Sequence, residues 1–249
     1  MKVSIITATY NSENEIMSTY RSILNQTFTD WEWVITDDCS QDRTAEILND
    51  IQASDSRVRV FRNPVNSGAA VSRNCSISYS QGEFLAFVDS DDLWEPEKLS
   101  SQLKFMELEG IDFSFTAYEL IDEFGSSLDK FVDLNQVGKF DYFDMLKKKA
   151  TLGCSTVIIR KAAFKDLSMP LLRTGQDYAF WLKLLKTGKC AYVFNRSLTK
   201  YRIRPSSISR NKFRKALRQW EIYRSIERLK LTSSINCFFF YAFRAVFRR

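Results

Sequence analysis

Strand-like and helix-like segments alternate four times within about the first 90 residues of this chain. Each strand-like segment is a short run of branched and aromatic residues, and the helix-like segments repeat apolar residues at intervals of three and four. The predicted strands are residues 3–9, 31–36, 58–61 and 83–88. Such an alternation predicts an α/β fold, in which a mostly parallel sheet carries helices on both faces.

All four predicted strands end in polar residues. These ends are Thr9, Tyr10 and Asn11 after the first strand, Asp37 and Asp38 after the second, Asn63 after the third, and Asp89 to Asp92 after the fourth. The ligand of an open parallel sheet lies beyond the carboxyl ends of its strands. The sequence therefore predicts a binding site along this edge of the sheet.

The fourth strand is followed directly by an acidic segment, Asp89, Ser90, Asp91 and Asp92. Side chains alternate along a strand, so Asp89 and Asp91 would point to the same side if the strand continued. Carboxylates held together repel one another, and a hard divalent cation that bridges to phosphate oxygens explains such a cluster. The alternative is that Asp91 or Asp92 caps the helix that begins after the segment.

The composition limits the available chemistry. The chain has no histidine, which excludes Ser-His-Asp and Cys-His catalysis and leaves proton transfer to Asp, Glu, Lys, Tyr or Cys. Its five cysteines form no CxxC pair, and they predict reduced thiols in a cytoplasmic protein. The net charge of +6 is concentrated near the C-terminus, because residues 210–249 contain 11 Lys and Arg against two Asp and Glu.

The last residues predict an amphipathic helix. Residues 236–249, NCFFFYAFRAVFRR, place five phenylalanines and a tyrosine among Arg244, Arg248 and Arg249. This composition suits a helix that lies on a membrane surface with anionic lipid. The alternative is a helix that docks on its own domain or on a dimer partner. The basic residues are not spread over the body, which argues against nucleic acid as a partner. We expect a main domain at 1–205 and a basic helical tail at 206–249.

Five motifs follow one another in the chain. They are VSIITATYN, VITDDCSQDRT, NSGAAVSRN, FVDSDDLW and, after a longer interval, GQDYAFWLKL. As an ordered set they resemble the motifs of the family 2 glycosyltransferases. The resemblance implies the GT-A fold, which is Rossmann-like. It also implies an inverting transfer from a nucleotide-sugar donor, most commonly a UDP-sugar, with Mn²⁺ or Mg²⁺ as cofactor.

The resemblance assigns nucleotide contacts to positions in the first three motifs. It places Tyr10 and the backbone of Ala8 beside the base and the ribose, and it gives Asp38 a hydrogen bond from the uracil N–H. Arg73 would help to hold the nucleotide. The alternative for Arg73 is a surface ion pair, since exposed charge pairs are common.

The acidic segment takes the place of the family's DXD motif. The resemblance implies that Asp89 and Ser90 contact the donor, and that Asp89, Asp91 and Asp92 hold Mn²⁺ or Mg²⁺ on its diphosphate. The cation would neutralise the charge that develops when the sugar–phosphate bond breaks.

The fifth motif resembles the segment that carries the family's acidic base. The family often has Glu-Asp here, whereas this chain has Gln176 and Asp177, so Asp177 is the candidate base of the pair. Asp177 would take the proton of the acceptor hydroxyl opposite the leaving diphosphate, and a single displacement would invert the anomeric centre. The alternative is that Asp177 caps its helix, where the dipole favours an anion.

The resemblance and the tail together predict the setting of the reaction. We expect a peripheral enzyme on the cytoplasmic face of the plasma membrane, acting on a polyprenyl-diphosphate-linked saccharide in O-antigen or capsule-like polysaccharide assembly. Arg202 and Arg204 are candidates for contacts with the diphosphate or a lipid phosphate. The alternatives are a sugar nucleotidyltransferase, for which the expected glycine-rich loop after the first strand is missing, and a catalytically inactive module that recruits partners to the membrane.

Overall fold

The structure, a computed structural model, describes residues 2–203 and 212–247. Its strands are β1 (Val3–Thr9), β2 (Trp31–Asp37), β3 (Val58–Arg62), β4 (Phe84–Phe87), β5 (Leu93–Trp94), β6 (Phe113–Ile121), β7 (Ser127–Val132), β8 (Lys139–Phe140), β9 (Ile158–Arg160) and β10 (Ala191–Arg202). Its helices are α1 (Ile16–Leu24), α2 (Thr44–Ser54), α3 (Ala69–Tyr79), α4 (Lys98–Leu108), α5 (Tyr142–Leu146), α6 (Gln176–Leu185), α7 (Lys212–Glu221) and α8 (Leu231–Phe247).

The described strands form one mixed sheet in the order β3-β2-β1-β4-β9-β6-β10-β5. The first four strands along this order are parallel, as are β6 and β10. Strand β9 runs antiparallel to both of its neighbours, β7 pairs with β6, and β8 pairs with β10. The predicted α/β fold with a mostly parallel sheet is confirmed.

Strand β4 shows why the apolar runs form the centre of this sheet. Phe84 and Ala86 belong to a core that they share with residues of α1, α2 and α4. Leu85 and Phe87 face a second core, which includes residues of α3 and α6. All four side chains are fully buried, so a strand without polar residues fits only between two helical layers.

Several element predictions need correction. The sequence also predicts a strand from Cys154 to Arg160, but this segment begins with a 3₁₀ turn, Cys154–Thr156, and becomes extended only in β9. It predicts a helix over 139–149, where the structure has the short strand β8 followed by α5. Helix α4 begins at Lys98, because the N–H of Glu95 bonds to the carbonyl of Leu198 on β10 and keeps this segment extended.

The described part of the tail packs against the body. The π-helical segment Ile222–Ile226 joins α7 to the chain that leads into α8. Ile222 and Tyr223 are buried in the main core, and the Tyr223 hydroxyl donates a hydrogen bond to the carbonyl of Leu146. Glu227 pairs with Lys186 at 2.6 Å. Residues 206–211, Arg248 and Arg249 lie outside the described residues, and the boundary at 205 stays a prediction.

Candidate active site

The acidic segment forms a tight turn after β4. The N–H of Asp92 donates to the carbonyl of Asp89 at 3.2 Å, which closes the turn. The expectation that strand geometry continues through Asp91 is therefore wrong, and the two carboxylates are arranged by the turn instead. We call residues 89–92 the acidic turn. The capping alternative is also wrong, since no side chain caps the N-terminus of α4.

The carboxylate of Asp89 binds a buried arginine. Nη2 of Arg73 lies 2.5 Å from Oδ1 of Asp89, and the two side chains are 6% and 27% exposed. Nε and Nη1 of Arg73 find no hydrogen-bond partner within the described residues. The ion pair is thus not the surface pair that was the alternative for Arg73. The guanidinium of Arg73 has two buried N–H-bearing nitrogens that could donate a hydrogen bond to a ligand oxygen.

Arg73 also interacts electrostatically with Asp177, the candidate base. Burial opposes the charge of the guanidinium, but the negative charges of Asp89 and Asp177 outweigh burial and raise the pKa of Arg73. Burial in turn raises the pKa of the Cys154 thiol, which keeps this group neutral. The structure therefore places Asp89 in contact with Arg73 and Asp177 within electrostatic range of it, although the two acids are far apart in sequence.

Asp177 lies in the first turn of α6 and is partly exposed. The cap of this helix is Gly175 in a left-handed conformation, with φ of 70°. Oδ1 of Asp177 accepts the N–H of the next residue, Tyr178, at 2.8 Å. The capping alternative is thus not what the structure shows.

Asp92 differs from the other two acids of the turn. It is only 1% exposed, and each of its oxygens accepts a hydrogen bond from the protein. Ser155 Oγ donates to Oδ2 at 2.5 Å, and the N–H of Arg202 donates to Oδ1 at 2.9 Å. Burial, with Asp91 and Asp89 nearby, raises the pKa of Asp92. The contacts of Asp92 hold the acidic turn in place, and they do not direct the Asp92 carboxylate towards a ligand.

Asp38 holds the loop that leads into α3. Its carboxylate accepts hydrogen bonds from the N–H groups of Ser67 and Gly68 and from the amide of Asn63, at 2.7–2.8 Å. Burial opposes the ionised form, but the hydrogen bonds outweigh it and lower the pKa of Asp38. A carboxylate has about four acceptor positions, so these three leave capacity for a ligand donor. Helix α3 connects this loop to Arg73.

The remaining predicted nucleotide contacts lie beside the acidic turn. Ala8 is partly buried near the end of β1, and Tyr10 follows it with a half-exposed ring. Ser90 is buried, and its hydroxyl lies 2.8 Å from that of Ser12 in the loop after β1. The end of β1 and the acidic turn are therefore joined directly.

Two residues of the site were missed by the sequence analysis. Cys154 lies among Arg73, Asp89 and Asp177. Ser155 bonds both ends of the acidic turn, because its hydroxyl accepts the N–H of Asp89 and donates to Asp92. Both lie in the 3₁₀ turn that was predicted as strand, and no local pattern marks them.

The described residues, 2–203 and 212–247, contain no group of three His, Cys, Asp or Glu side chains placed to hold a metal ion. Each main-chain carbonyl of the acidic turn lies within hydrogen-bond distance of a protein donor. The N–H of Asp92 donates to Asp89, Nε of Arg202 donates to Asp91, and the one hydrogen of the Thr19 hydroxyl is shared between Ser90 and Asp92. Asp89 and Asp91 are the partly exposed acids of the turn, so a cation here would draw on their carboxylates together with ligand oxygens.

Comparison with known proteins adds family information. The family model described as "Glycosyl transferase family 2" matches residues 4–168. The chain is 43% identical over 247 residues to the "Putative teichuronic acid biosynthesis glycosyltransferase TuaG" of Bacillus subtilis, covering 99% of this chain and 97% of TuaG. It is 37% identical over 246 residues to WfaP of Escherichia coli, covering 99% of this chain and 94% of WfaP. WfaP is named a UDP-Glc:α-D-GlcNAc-diphosphoundecaprenol β-1,3-glucosyltransferase.

Solved structures share the fold. The crystal structure of S. aureus TarS 1–349 in complex with UDP matches with a TM-score of 0.68 and 26% identity, over 82% of this chain and 61% of TarS. This chain thus spans less than two thirds of that structure. The mannosyltransferase PcManGT of Pyrobaculum calidifontis, in complex with GDP-Man and Mn²⁺, matches with a TM-score of 0.71 over 99% of this chain and 70% of PcManGT. At 14% identity this second match concerns the fold alone.

Proposed function

This chain belongs to glycosyl transferase family 2 and has the GT-A fold, and we propose that it transfers a sugar from a UDP-sugar, with inversion, to a hydroxyl of a polyprenyl-diphosphate-linked saccharide. The observation that carries the proposal is the ion pair of the buried Arg73 with Asp89, within electrostatic range of Asp177. In the proposed site the guanidinium would thus lie near both a donor-binding carboxylate and the candidate base.

The donor and the acceptor are proposed from the relatives. TarS was crystallised with UDP, and the name of WfaP gives UDP-Glc as donor and a GlcNAc linked to diphosphoundecaprenol as acceptor. TuaG is named for the biosynthesis of teichuronic acid. These names support a role in bacterial surface-polysaccharide assembly. In this chain Ala8, Tyr10 and Asp38 would take the uridine, and Arg73 and Ser90 would lie beside the rest of the donor.

The proposed reaction uses the chain's own residues in distinct roles. Asp177 accepts the proton of the acceptor hydroxyl as its oxygen forms the new bond to the anomeric carbon. The bond from that carbon to the diphosphate oxygen breaks, and its electrons leave with UDP. Nε and Nη1 of Arg73, which have no hydrogen-bond partner among the described residues, donate hydrogen bonds to oxygens of the nucleotide sugar. One attack from the face opposite the leaving group gives inversion.

The acidic turn fits a divalent cation. Carboxylate oxygens of Asp89 and Asp91, completed by diphosphate oxygens and water, are the hard ligands that Mg²⁺ and Mn²⁺ prefer. When bound, such a cation supplies charge neutralisation on the leaving diphosphate. Because Asp92 is buried with both oxygens bonded to protein, we assign it to holding the turn and not to the cation.

The test is turnover by the purified full chain. A panel of nucleotide sugars is supplied with a polyprenyl-diphosphate-linked GlcNAc and Mn²⁺, and UDP, diphosphate and glycosylated lipid are measured. We expect one UDP-sugar to give equal amounts of UDP and product and no diphosphate. Release of diphosphate would identify a nucleotidyltransferase. A folded protein that binds UDP but turns over no donor would favour the inactive module and contradict the proposal.

We also propose that α8 contacts an anionic membrane surface, which places the enzyme on the cytoplasmic face of the plasma membrane. Four apolar residues recur at every fourth position of α8, and each is at least half exposed. They are Leu231, Ile235, Phe239 and Phe243. The opposite side packs inwards through Cys237 and Phe238. None of the described helices is long and apolar enough to cross a bilayer.

Charge supports a bilayer as the partner of this face. Residues 210–249 contain 11 Lys and Arg against two Asp and Glu, so the net positive charge of the chain is concentrated there. Lys147 of the body also lies over the ring of Phe240 at 5.3 Å. Anionic headgroups favour basic residues beside an apolar helix face. The lipid-linked acceptor proposed above lies at the same surface.

We predict that Phe239→Ser combined with Phe243→Ser lowers binding to vesicles containing anionic lipid by at least about tenfold, since burying a phenylalanine contributes about 1.5–3 kcal/mol. The measurement is co-flotation of the full chain with vesicles. The control is Phe124→Ser, which removes an exposed phenylalanine on the β6–β7 hairpin. Undiminished flotation of the double variant, or an equal loss in the control, would rule the proposal out.

A further inference from the structure

Arg202 occupies a junction between the acidic turn and a neighbouring hairpin. It is the last residue of β10 and is 8% exposed. In the parallel pairing of β10 with β6, Arg202 lies opposite Ile121, the last residue of β6. The turn of the β6–β7 hairpin, residues 122–126, follows directly. The strand register therefore brings the Arg202 side chain between this turn and the acidic turn.

Arg202 bonds two successive residues of the acidic turn. Its main-chain N–H donates to Oδ1 of Asp92 at 2.9 Å. Its Nε donates to the carbonyl of Asp91 at 2.8 Å. Arg202 thus fixes the carboxylate of the buried Asp92 and the main chain of the partly exposed Asp91.

The same guanidinium reaches the hairpin turn. Nη1 donates to the carbonyls of Asp122 and Glu123, at 3.2 and 2.9 Å. Gly125 lies against it with φ of +91°, and a Cβ there would stand 3.6 Å from Nη1. The glycine provides the backbone conformation that lets the hairpin close over the arginine. The contact of Arg202 with a diphosphate or a lipid phosphate stays a prediction beside these contacts to main-chain carbonyls, and Arg204 lies outside the described residues.

These contacts determine how the acidic turn can meet a ligand. Nε of Arg202 donates to the carbonyl of Asp91, and the N–H of Asp92 and the Thr19 hydroxyl lie against the other three carbonyls of the turn. The side chains of Asp89 and Asp91 are the partly exposed carboxylates that could meet a cation. The direction of the Asp91 carboxylate depends on its main chain, which Arg202 holds.

We propose that Arg202 is a positioning residue for Asp91, which ties the acidic turn to the β6–β7 hairpin and so sets the metal-dependent part of UDP binding. This inference rests on the proposed function, because it takes a divalent cation and UDP as the ligands. Arginine is required because its planar fork bonds carbonyls on two separate segments at once. A lysine could bond one segment but could not span both in fixed directions.

The test compares Arg202→Met and Arg202→Lys with the wild-type full chain. UDP is titrated by calorimetry without metal and at a series of Mn²⁺ concentrations, and the melting temperature is measured in parallel. The control is Lys200→Met, on the same strand, which removes an ion pair with Glu95 at 3.0 Å. Loss of a partner that orients a metal ligand lowers metal affinity by about 10–100-fold. We expect this loss in both Arg202 variants, with metal-free UDP binding unchanged and the control like wild type.

Each other outcome has a definite meaning. Wild-type Mn²⁺ dependence in a folded Arg202→Met protein would overturn the positioning role while leaving the proposed function intact. Failure of Arg202→Lys to fold would overturn it as well, because the role would then be general scaffolding. If UDP binding by the wild-type chain is insensitive to Mn²⁺, the metal-dependent function fails, and this inference fails with it.

Discussion

Replacing Asp177 by asparagine is expected to lower the rate of sugar transfer by about 10²–10⁴-fold, which is the usual contribution of a general base. Asparagine keeps the oxygen that accepts the Tyr178 N–H, so α6 should begin as before. It cannot take a proton from the acceptor hydroxyl. The measurements are single-turnover transfer and calorimetric binding of UDP with Mn²⁺, and only the first should change.

The control for this prediction is Asp129→Asn. Asp129 is exposed on β7 and has a positive φ of 50°, which asparagine tolerates. Asp129→Asn therefore removes the same charge as Asp177→Asn. It causes no backbone strain, and it lies outside the candidate active site. Full activity of the Asp177→Asn enzyme would remove Asp177 from the mechanism. Equal losses of transfer and UDP binding would instead show that Asp177 acts in holding the donor.

The parallel half of the fold could be predicted because its determinants are local. Strands β1 to β4 are short apolar runs, and the helices between them repeat apolar residues at helical spacing. The polar residues that end each of these strands are also visible directly in the sequence. Parallel pairing brings these ends to one edge, so the placement of Asp38 and the acidic turn needed no long-range information.

The parts that were missed depend on contacts between distant residues. Asp92 is held by Ser155, 63 positions away, and by Arg202, 110 positions away. Neither contact leaves a periodic pattern in the sequence. The same explanation holds for the tail, where apolar spacing identified a helix but could not distinguish which face packs on the body. Trp220 packs on Phe238, whereas Phe239 stays exposed.

Replacing Asp91 by asparagine is expected to remove most of the Mn²⁺ dependence of UDP binding, and with it sugar transfer. Changing a residue that only orients a metal ligand costs about 10–100-fold, so loss of a charged ligand itself should cost more than about 100-fold in Mn²⁺ affinity. Asparagine retains the size of the side chain and leaves the carbonyl bonded to Arg202 unchanged. The measurement is UDP calorimetry over a series of Mn²⁺ concentrations, with transfer assayed on the same preparations.

Two further variants separate the metal effect from changes in charge and in folding. Asp50→Asn, on the exposed face of α2, makes the same change of charge and should behave like wild type. Asp92→Asn should lower the melting temperature, because the NH₂ group of an amide cannot accept a hydrogen bond. Only one of the two hydrogen bonds, from Ser155 or from Arg202, can then be kept. Asp91→Asn should lower the melting temperature less, because Asp91 is only partly buried. If Asp91→Asn instead destabilises the fold and preserves the Mn²⁺ effect, the two acids have exchanged roles, and the cation must be bound by Asp89 with Asp92.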